Sequence, residues 1–327
     1  MKKKKYKRIF HNLIFLFIVG ITVGCKNVTQ PKFVAIAYKS NLAAYSEDGI
    51  NWKSITLPRE DDWFNLCYGN GKFVAVAGGF DSSDLAAYSK DGKKWKTTKL
   101  PSIAYWSSVA YGNGKFIAVA DSSNIAACSE DGIEWTAITL PSSEYWNSVC
   151  YGNGKFVVVA LDSKTALYSD GEINWTQTTM PSRGNWSSVC YGNGKFVAAS
   201  FQMVYSEDGI KWKEGTAQGN EYWWSVCYGN GKFVAIPDQG SIATYSENAV
   251  KWTIIDLPTC RYQDDSSCYW KSVCYGNGKF VAISGSYNND FVSPQSNKAA
   301  YSEDGIHWTE TRMPAYAFWL RVCYGGD

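Results

Sequence analysis

Histidine is nearly missing from this chain of 327 residues, which has it only at His11 and His307. So few imidazoles disfavour a His-based metal site and a Ser-His-Asp triad. Charged residues are also few, at 19%, while 45% of the residues are hydrophobic. This composition excludes a disordered or collagen-like chain, and the lack of long heptad runs excludes a coiled coil. Because the sequence has no CxxC spacing and no His cluster, we expect neither a metal nor a cofactor.

Long apolar segments are missing too, except for one near the amino terminus. A basic head at residues 2–8 precedes an apolar stretch from Leu13 to Val23. A membrane-spanning helix needs about 20 apolar residues, so this stretch is too short to be one. A basic head, a short apolar run and small residues at its end are typical of a secretory signal peptide. The run ends in Gly24-Cys25, which resembles a bacterial lipobox.

The lipobox resemblance implies a lipoprotein of the bacterial cell envelope. Residues 1–24 are then the signal peptide, Cys25 carries the lipid, including palmitate, and residues 25–30 are a lipid-anchored linker. Ordinary secretion, with Cys25 as a chance neighbour, is the alternative. Cleavage removes six basic residues and leaves 26 basic and 30 acidic ones, a net charge of −4. Such a chain offers no basic face for nucleic acid.

What the sequence does have is a repeat rich in tryptophan. The string Tyr-Gly-Asn-Gly-Lys-Phe occurs six times, with a Trp five residues before each copy and before one truncated seventh copy. These Trp are Trp63, Trp106, Trp146, Trp186, Trp223, Trp270 and Trp319. A second motif, Tyr45 to Trp52 in its first copy, also recurs seven times. The period of about 40 to 50 residues is typical of propeller blades.

Each unit is predicted to form four strands. A Gly-Asn-Gly turn joins strands one and two, and a Glu-Asp-Gly turn joins strands three and four. The first unit begins at strand two, near Phe33, and the chain ends on a lone strand one, Trp319 to Tyr324. The sequence therefore predicts an all-β fold over residues 31–327. This fold is a seven-bladed β-propeller with four strands per blade, closed by pairing the C-terminal strand with the N-terminal blade.

The motif Ser-x-Asp-Gly-x-x-Trp, between strands three and four, resembles the Asp-box (BNR repeat) of sialidase-like propellers. The resemblance implies a folding element, in which Ser and Asp bond the turn and Trp packs. A sialidase-like enzyme would also need an arginine triad and a Tyr nucleophile with a Glu partner. The predicted mature part has only five arginines, Arg59, Arg183, Arg261, Arg312 and Arg321, and it lacks the Phe-Arg-Ile-Pro stretch that is usual near the start of those enzymes. Loop carboxylates that could serve a glycosidase are Glu60, Asp61, Asp62, Asp264 and Asp265.

A ligand site is predicted on the face that carries the loops two-to-three and four-to-one, because these loops vary most between copies. The Trp that opens strand one lies at this end, often after another aromatic residue. Trp63, Trp106, Trp146, Trp186, Trp223, Trp270 and Trp319 are therefore candidate ligand-binding residues, as a ring that stacks on sugars. Packing of these indoles between blades is the alternative. The preceding aromatics are Tyr105, Tyr145, Tyr222, Tyr269 and Phe318.

Six cysteines share one repeat position, which Ala110 fills in the remaining unit. They are Cys67, Cys150, Cys190, Cys227, Cys274 and Cys323. Interchange with Ala suggests a small residue buried between blades. Cys260 and Cys268 bracket an inserted loop and are the pair that we predict as a disulfide, which export would permit.

The sequence thus predicts an exported, lipid-anchored surface recognition module. It is expected to be a monomer that binds a glycan or a surface or envelope protein through the variable loops. It would touch the membrane only through its lipid. Two alternatives remain, a glycoside hydrolase of the sialidase-like class and a structural or assembly component of an envelope complex. The missing catalytic set favours binding over catalysis.

Overall fold

The computed structural model describes residues 33–170, 173–216, 221–259, 269–285 and 296–326. These residues form strands and turns, and no helix among them could cross a membrane. Four predictions lie outside the described residues: the signal peptide 1–24, lipidation of Cys25, the linker 25–30 and the Cys260–Cys268 disulfide. They stay predictions.

The described residues contain 26 strands. The first nine are β1 (Phe33–Ala37), β2 (Ser40–Ser46), β3 (Trp52–Asp61), β4 (Trp63–Gly69), β5 (Lys72–Ala77), β6 (Ser83–Ser89), β7 (Lys96–Gly112), β8 (Lys115–Asp121) and β9 (Ser123–Ser129). The next nine are β10 (Thr136–Gly152), β11 (Lys155–Leu161), β12 (Ser163–Ser169), β13 (Trp175–Gly184), β14 (Ser188–Gly192), β15 (Lys195–Ala199), β16 (Met203–Ser206), β17 (Lys213–Glu214) and β18 (Trp223–Gly229). The last eight are β19 (Lys232–Pro237), β20 (Ile242–Ser246), β21 (Thr253–Asp256), β22 (Trp270–Gly276), β23 (Lys279–Ser284), β24 (Ser296–Ser302), β25 (Thr309–Ala317) and β26 (Trp319–Tyr324).

The described strands pair antiparallel in five sheets. Four sheets have four strands each, in the orders β26-β1-β2-β3, β14-β15-β16-β17, β18-β19-β20-β21 and β22-β23-β24-β25. The fifth has ten strands, β4 to β13 in sequence order, because β7 and β10 are each 17 residues long. Each of these two long strands is the last strand of one group and continues as the first strand of the next. With β7 and β10 each counted in two groups, the pairings divide the described strands into seven groups of four.

The two ends of the repeat region meet in one sheet. β26 pairs antiparallel with β1, with Val34 opposite Cys323 and Ala35 opposite Val322. The first strand of each group, which we call its inner strand, contacts the inner strand of the next group. These contacts run from β4 through β7, β10, β14, β18 and β22 to β26, and β26 contacts β4. The pairing of the C-terminal strand with the first unit is as the sequence predicts.

The turn between strands one and two explains why its glycines recur. In the first complete copy, Asn70 has φ +46° and Gly71 has φ +69°, the left-handed values that a tight hairpin turn needs. The glycine before them has a different role. A Cβ on Gly152 would lie 2.0 Å from Cγ of Tyr191, because the tyrosine ring of each group lies on the glycine of the preceding one. At Gly325, a Cβ would lie 2.1 Å from the ring of Phe73 and 2.7 Å from the ring of Tyr68.

The turn between strands three and four is held by its own side chains. In the third copy, the amide N–H groups of Ile133 and Glu134 donate to Asp131 Oδ1 over 2.8 and 3.0 Å. The Gly132 N–H donates to Ser129 Oγ over 2.8 Å. In the degraded copy, Asn248 accepts the same two amide bonds, so the amide replaces the carboxylate. The side chains of this turn therefore hold its own backbone in place.

The core lies between the groups rather than within one of them. Seven clusters of buried residues among the described residues each combine side chains from neighbouring groups and contain one inner-strand Trp. One cluster, for example, joins Val119 of β8 and Val158 of β11 around Trp146. The second repeated Trp packs on its own hairpin, since the rings of Phe156 and Trp175 are 6.5 Å apart.

Candidate functional site

The antiparallel groups give the molecule two different faces. The repeated turns, between strands one and two and between strands three and four, form what we call the turn face. The other connections form the variable-loop face. Its described residues are 38–39, 58–62, 78–82, 101–105, 122, 141–145, 162, 181–185, 200–202, 221–222, 238–241, 257–259, 269, 285 and 314–318.

The predicted ring of ligand-binding tryptophans is buried. Trp63, Trp106, Trp146, Trp186, Trp223 and Trp319 have 0% of their surface exposed, and Trp270 has 1%. Their indoles fill the space between neighbouring groups, so no ligand can stack on them while the groups stay packed. The prediction of direct ligand binding by these seven residues is therefore wrong, and the packing alternative holds. The physical reason is that apolar indoles fill the gap where two sheets diverge.

The indole N–H groups support the packing role. Trp63, Trp106 and Trp319 each donate to the carbonyl oxygen four residues earlier, over 3.0 to 3.2 Å. Trp186 Nε1 donates to the carbonyl of Ser163 over 3.1 Å. These are bonds to the connection between strand four and the next inner strand, or to a neighbouring strand. They fix these four indoles in place, whereas the Nε1 atoms of Trp146, Trp223 and Trp270 are buried without a hydrogen-bond partner among the described residues.

The exposed apolar side chains of this face belong to other residues than the buried tryptophans. Among the described residues, seven large hydrophobic side chains are exposed, and six of them lie on the variable-loop face. These six are Phe80, Ile103, Tyr105, Tyr145, Phe201 and Tyr316, with exposures between 42% and 69%. The seventh, Ile173, lies in a turn of the opposite face. The pattern of an aromatic residue before the repeat Trp indicates Tyr105 and Tyr145, whereas no sequence signal points to Phe80 or Phe201.

The structure brings several of these aromatics together. Phe80 meets Tyr38 and Phe64 edge-on, with ring centroids 5.8 and 5.5 Å apart. Phe318 joins Tyr38 at 5.6 Å. On another part of the face, Phe201 lies 5.0 Å from Tyr222. The predicted neighbours of the ring thus differ in accessibility, since Tyr222 and Phe318 are partly buried and Tyr269 is buried.

Two aspartates on this face form a hydrogen-bonded pair. Burial, followed by the hydrogen bond to Asp81 and the negative charge of Asp81, raises the pKa of Asp62 to about 6, while Lys39 opposes the shift. Lys39 Nζ lies 3.2 Å from Asp81. Carboxyl groups in direct contact are too close for a glycosidase pair, whose members stand about 5–10 Å apart. The pair therefore does not match the geometry that a glycosidase needs.

A cavity of about 300 Å³ opens on the variable-loop face. Its lining includes Asp162, Arg183, Asn185, Phe201 and Gln202. Arg183 Nε and Nη2 donate to the two oxygens of Asp162 over 2.7 and 2.9 Å. The cavity thus combines an exposed aromatic ring with amide and charged groups. A larger cavity of about 490 Å³ lies by the turn of Asp131 on the opposite face.

A lysine on an inner strand is enclosed by aromatic rings. Lys271 Nζ lies 2.6 Å from Asp238 and 5.3, 5.7 and 5.9 Å from the ring centroids of Trp224, Tyr269 and Phe318. Its side chain is 8% exposed. The ammonium group is therefore neutralised by a carboxylate and stabilised by the three rings.

The repeated cysteines are free and partly buried on the inner strands. They are Cys67, Cys150, Cys190, Cys227, Cys274 and Cys323. Burial raises the pKa of each thiol, so these groups stay protonated at neutral pH. Within the described ranges, no three His, Cys, Asp or Glu side chains are placed to hold a metal ion.

Comparison with known proteins places the fold. No protein-family model and no curated protein matches the sequence. Virginiamycin B lyase from Staphylococcus aureus is 11% identical, with a TM-score of 0.66 over 81% of this chain and 89% of that one. YCF48 bound to D1 peptide is 15% identical, with a TM-score of 0.57 over 88% of both chains. AztD from Citrobacter koseri is 11% identical, with a TM-score of 0.54 over 91% and 99%. The fold is that of a β-propeller. At such low identity, these likenesses show the fold alone.

Proposed function

We propose that this chain is a seven-bladed propeller, closed through β26 and β1, that recognises a polypeptide partner with its variable-loop face. The observation that carries the proposal is the placement of exposed apolar side chains. Six of the seven large ones among the described residues lie on that face. Exposed aromatic side chains are enriched in protein interfaces because they bury much surface at little entropic cost.

The scaffold suits this role. The inter-blade indoles and the self-bonded turns hold the loops in place, so the side chains of the variable-loop face are positioned before a partner arrives. A preorganised surface loses less conformational entropy on binding. One of the similar folds, YCF48, is described as bound to a peptide, which supports peptide recognition as a use of this architecture.

The test uses two neighbouring blades. A random peptide display library is selected on the full chain, and selected peptides are measured against Tyr105→Ala/Tyr145→Ala and against Ile173→Ala as the control on the turn face. We expect the double variant to weaken binding at least about tenfold, in line with the loss of two interface aromatics. Equal affinity of the double variant and the control would contradict the proposal.

A glycan is the second candidate, and the 300 Å³ cavity favours it. Phe201 offers an aromatic ring for the apolar face of a sugar, beside the hydrogen-bonding groups of Asn185 and Gln202. A glycan array probed with the wild type and with Phe201→Ala separates the two candidates. Array signals that the wild type gives and Phe201→Ala does not give would support the glycan as the ligand.

The cellular setting is proposed from the sequence alone. We infer export and lipid attachment at Cys25 from the lipobox resemblance, which puts the propeller at the bacterial envelope, joined to the membrane by lipid. A structural or assembly role there is compatible with the same recognition face. Incorporation of labelled palmitate that Cys25→Ser abolishes is the expected result, and unchanged incorporation would contradict it.

A further inference from the structure

Arg321 is unusual among the described charged residues because it lies on an inner strand without a carboxylate partner. It stands on β26, two residues after Trp319. Its Nη1 donates to the carbonyl of Lys271 on the neighbouring inner strand over 3.4 Å, a long bond. Its Nε is buried and has no hydrogen-bond partner. Burial lowers the pKa of Arg321 to about 10, so the guanidinium stays charged at neutral pH.

The repeat shows what this position does elsewhere. The residues at the same register in the other six groups are small and uncharged: Asn65, Ser108, Ser148, Ser188, Ser225 and Ser272. The serines accept a backbone N–H from the next inner strand, as when Val149 N donates to Ser108 Oγ over 3.1 Å. Four further bonds of this kind follow around the molecule.

Arg321 cannot make that bond, because a guanidinium has donors only. The corresponding amide of the next inner strand, Leu66 N, is satisfied instead by its own neighbour, Asn65 Oδ1, over 2.7 Å. Asn65 thus supplies the acceptor that the serine supplies in the other groups. Arg321 does not make the hydrogen bond that this repeat position makes elsewhere.

The positive charge of Arg321 is not balanced by a nearby carboxylate in the described part of the chain. Lys271 is neutralised by Asp238, whereas Arg321 has no acidic partner among the described residues. An enclosed cation without a counter-ion is costly, and the cost is removed when an anion binds. A planar guanidinium matches a carboxylate, which it can hold with two parallel bonds.

We propose that Arg321 forms a carboxylate-binding subsite between β22 and β26, near the variable-loop face, which takes an acidic side chain or the C-terminal carboxylate of the partner. The subsite rests on the proposed function in that the partner is a polypeptide. Arg321 is partly accessible to solvent, and the proposed subsite places its Nη end against such a group.

The first test observes Arg321 directly. The full chain is labelled with ¹⁵N-arginine, and the Nε–Hε signal of Arg321 is assigned by its loss in Arg321→Ser. Sodium acetate is titrated against sodium chloride and sodium phosphate at constant ionic strength. We expect a saturable shift of the Arg321 signal with acetate only. No shift with acetate, or an equal shift with phosphate, would overturn the carboxylate subsite.

The second test uses stability, with Arg312→Ser as a control that removes an exposed arginine from an outer strand. Arg321→Ser introduces the residue that five other groups carry and removes the uncompensated charge. We expect it to raise the melting temperature in chloride by about 2 °C or more, and to remove the stabilisation that acetate gives the wild type. A lower melting temperature for Arg321→Ser would show that the arginine is structural and would overturn the proposal.

The final step separates this inference from the proposed function. An acetylated triglutamate peptide with a free C-terminal carboxylate is compared with an acetylated, C-terminally amidated triglutamine peptide, which has no carboxylate, on the wild type, on Arg321→Ser and on Tyr105→Ala/Tyr145→Ala. A preference of about tenfold for triglutamate in the wild type would support the subsite if Arg321→Ser loses it and Tyr105→Ala/Tyr145→Ala keeps it. If library peptides depend on the tyrosines while triglutamate shows no preference, the subsite fails and the recognition face stands.

Discussion

The two faces of this propeller are built from the same strands but use their side chains in opposite ways. On the turn face, Ser and Asp side chains bond the backbone of their own turn, and tyrosines cover the glycines of the preceding blade. On the variable-loop face, aromatic side chains such as Tyr145 and Phe201 remain exposed. The difference teaches that repetition in this chain marks packing, because each blade has to solve the same packing problem. Positions that differ between blades are free to carry recognition.

The sharpest form of this comparison is between Tyr145 and Trp146, which are adjacent in the chain. Trp146→Ala removes a fully buried indole, and we expect a loss of about 3–5 kcal/mol in the free energy of unfolding. Tyr145→Ala removes a ring that is 53% exposed and should change stability by no more than about 0.5 kcal/mol. Urea denaturation of both variants measures the difference. Similar losses for the two would break the distinction between packing and recognition positions.

A smaller effect separates packing from backbone strain within one turn. In Gly152→Ala, the new Cβ would lie 2.0 Å from the ring of Tyr191, and we expect overpacking to cost about 1–3 kcal/mol. Gly154→Ala meets no atom within 4 Å but has φ +75°, so only the left-handed backbone costs energy, about 1 kcal/mol. In thermal unfolding, the melting temperature of Gly152→Ala should therefore be lower than that of Gly154→Ala. The reverse order would mean that the tyrosine ring moves aside freely.

The smallest expected effect is a pH dependence of opposite sign on the two faces. Burial alone would raise the pKa of Asp48 in the first turn, but hydrogen bonds from Asn51, Ile50 and Ser46 lower it to about 2. Its contribution to stability is present above pH 4 and is lost as the pH falls towards 2. The pKa of Asp62 is raised to about 6, so its contribution is present below pH 4 and is lost as the pH rises through 6.

Urea midpoints between pH 2 and pH 7 test both signs. We expect Asp48→Asn to reduce the gain in stability between about pH 2 and pH 4, and Asp62→Asn to remove a decline between about pH 4 and pH 6. Asn248, which accepts the same turn bonds as the aspartates, indicates that the first substitution keeps the turn folded. A midpoint that rises between pH 4 and pH 6 in the wild type and not in Asp62→Asn would contradict the assigned direction.

Much of the fold could be predicted from the repeat. Gly-Asn-Gly and Ser-x-Asp-Gly have local geometry that short-range sterics and side-chain bonds decide, so their turns are as expected. The pairing of β26 with β1 also follows from counting strands in the first and last units. The candidate site could be predicted only in part. The sequence predicts a ligand-binding ring of Trp146 and its equivalents, but these indoles are buried, and the exposed rings are neighbours such as Tyr145.

That error has a physical cause. A Trp that opens a strand has the same sequence signature whether its ring turns into the gap between two sheets or towards solvent. Its burial depends on how far the neighbouring sheet lies, which is a property of the assembled ring of blades. The pairing of Asp62 with Asp81 and the proximity of Arg321 to Lys271 likewise join residues that are distant in the chain.

The 15 tryptophans of this chain show the difference between what the sequence determines and what the tertiary structure decides. The sequence by itself determined an all-β repeat and its turns, including the turn glycines with positive φ, because these depend on backbone conformation and on contacts a few residues apart. Only the tertiary structure decided which aromatic rings are buried and which are accessible, and that Arg321 has no acidic partner in the described part of the chain. Those properties depend on the spacing between sheets, and sheet spacing is set by the packing of all blades together.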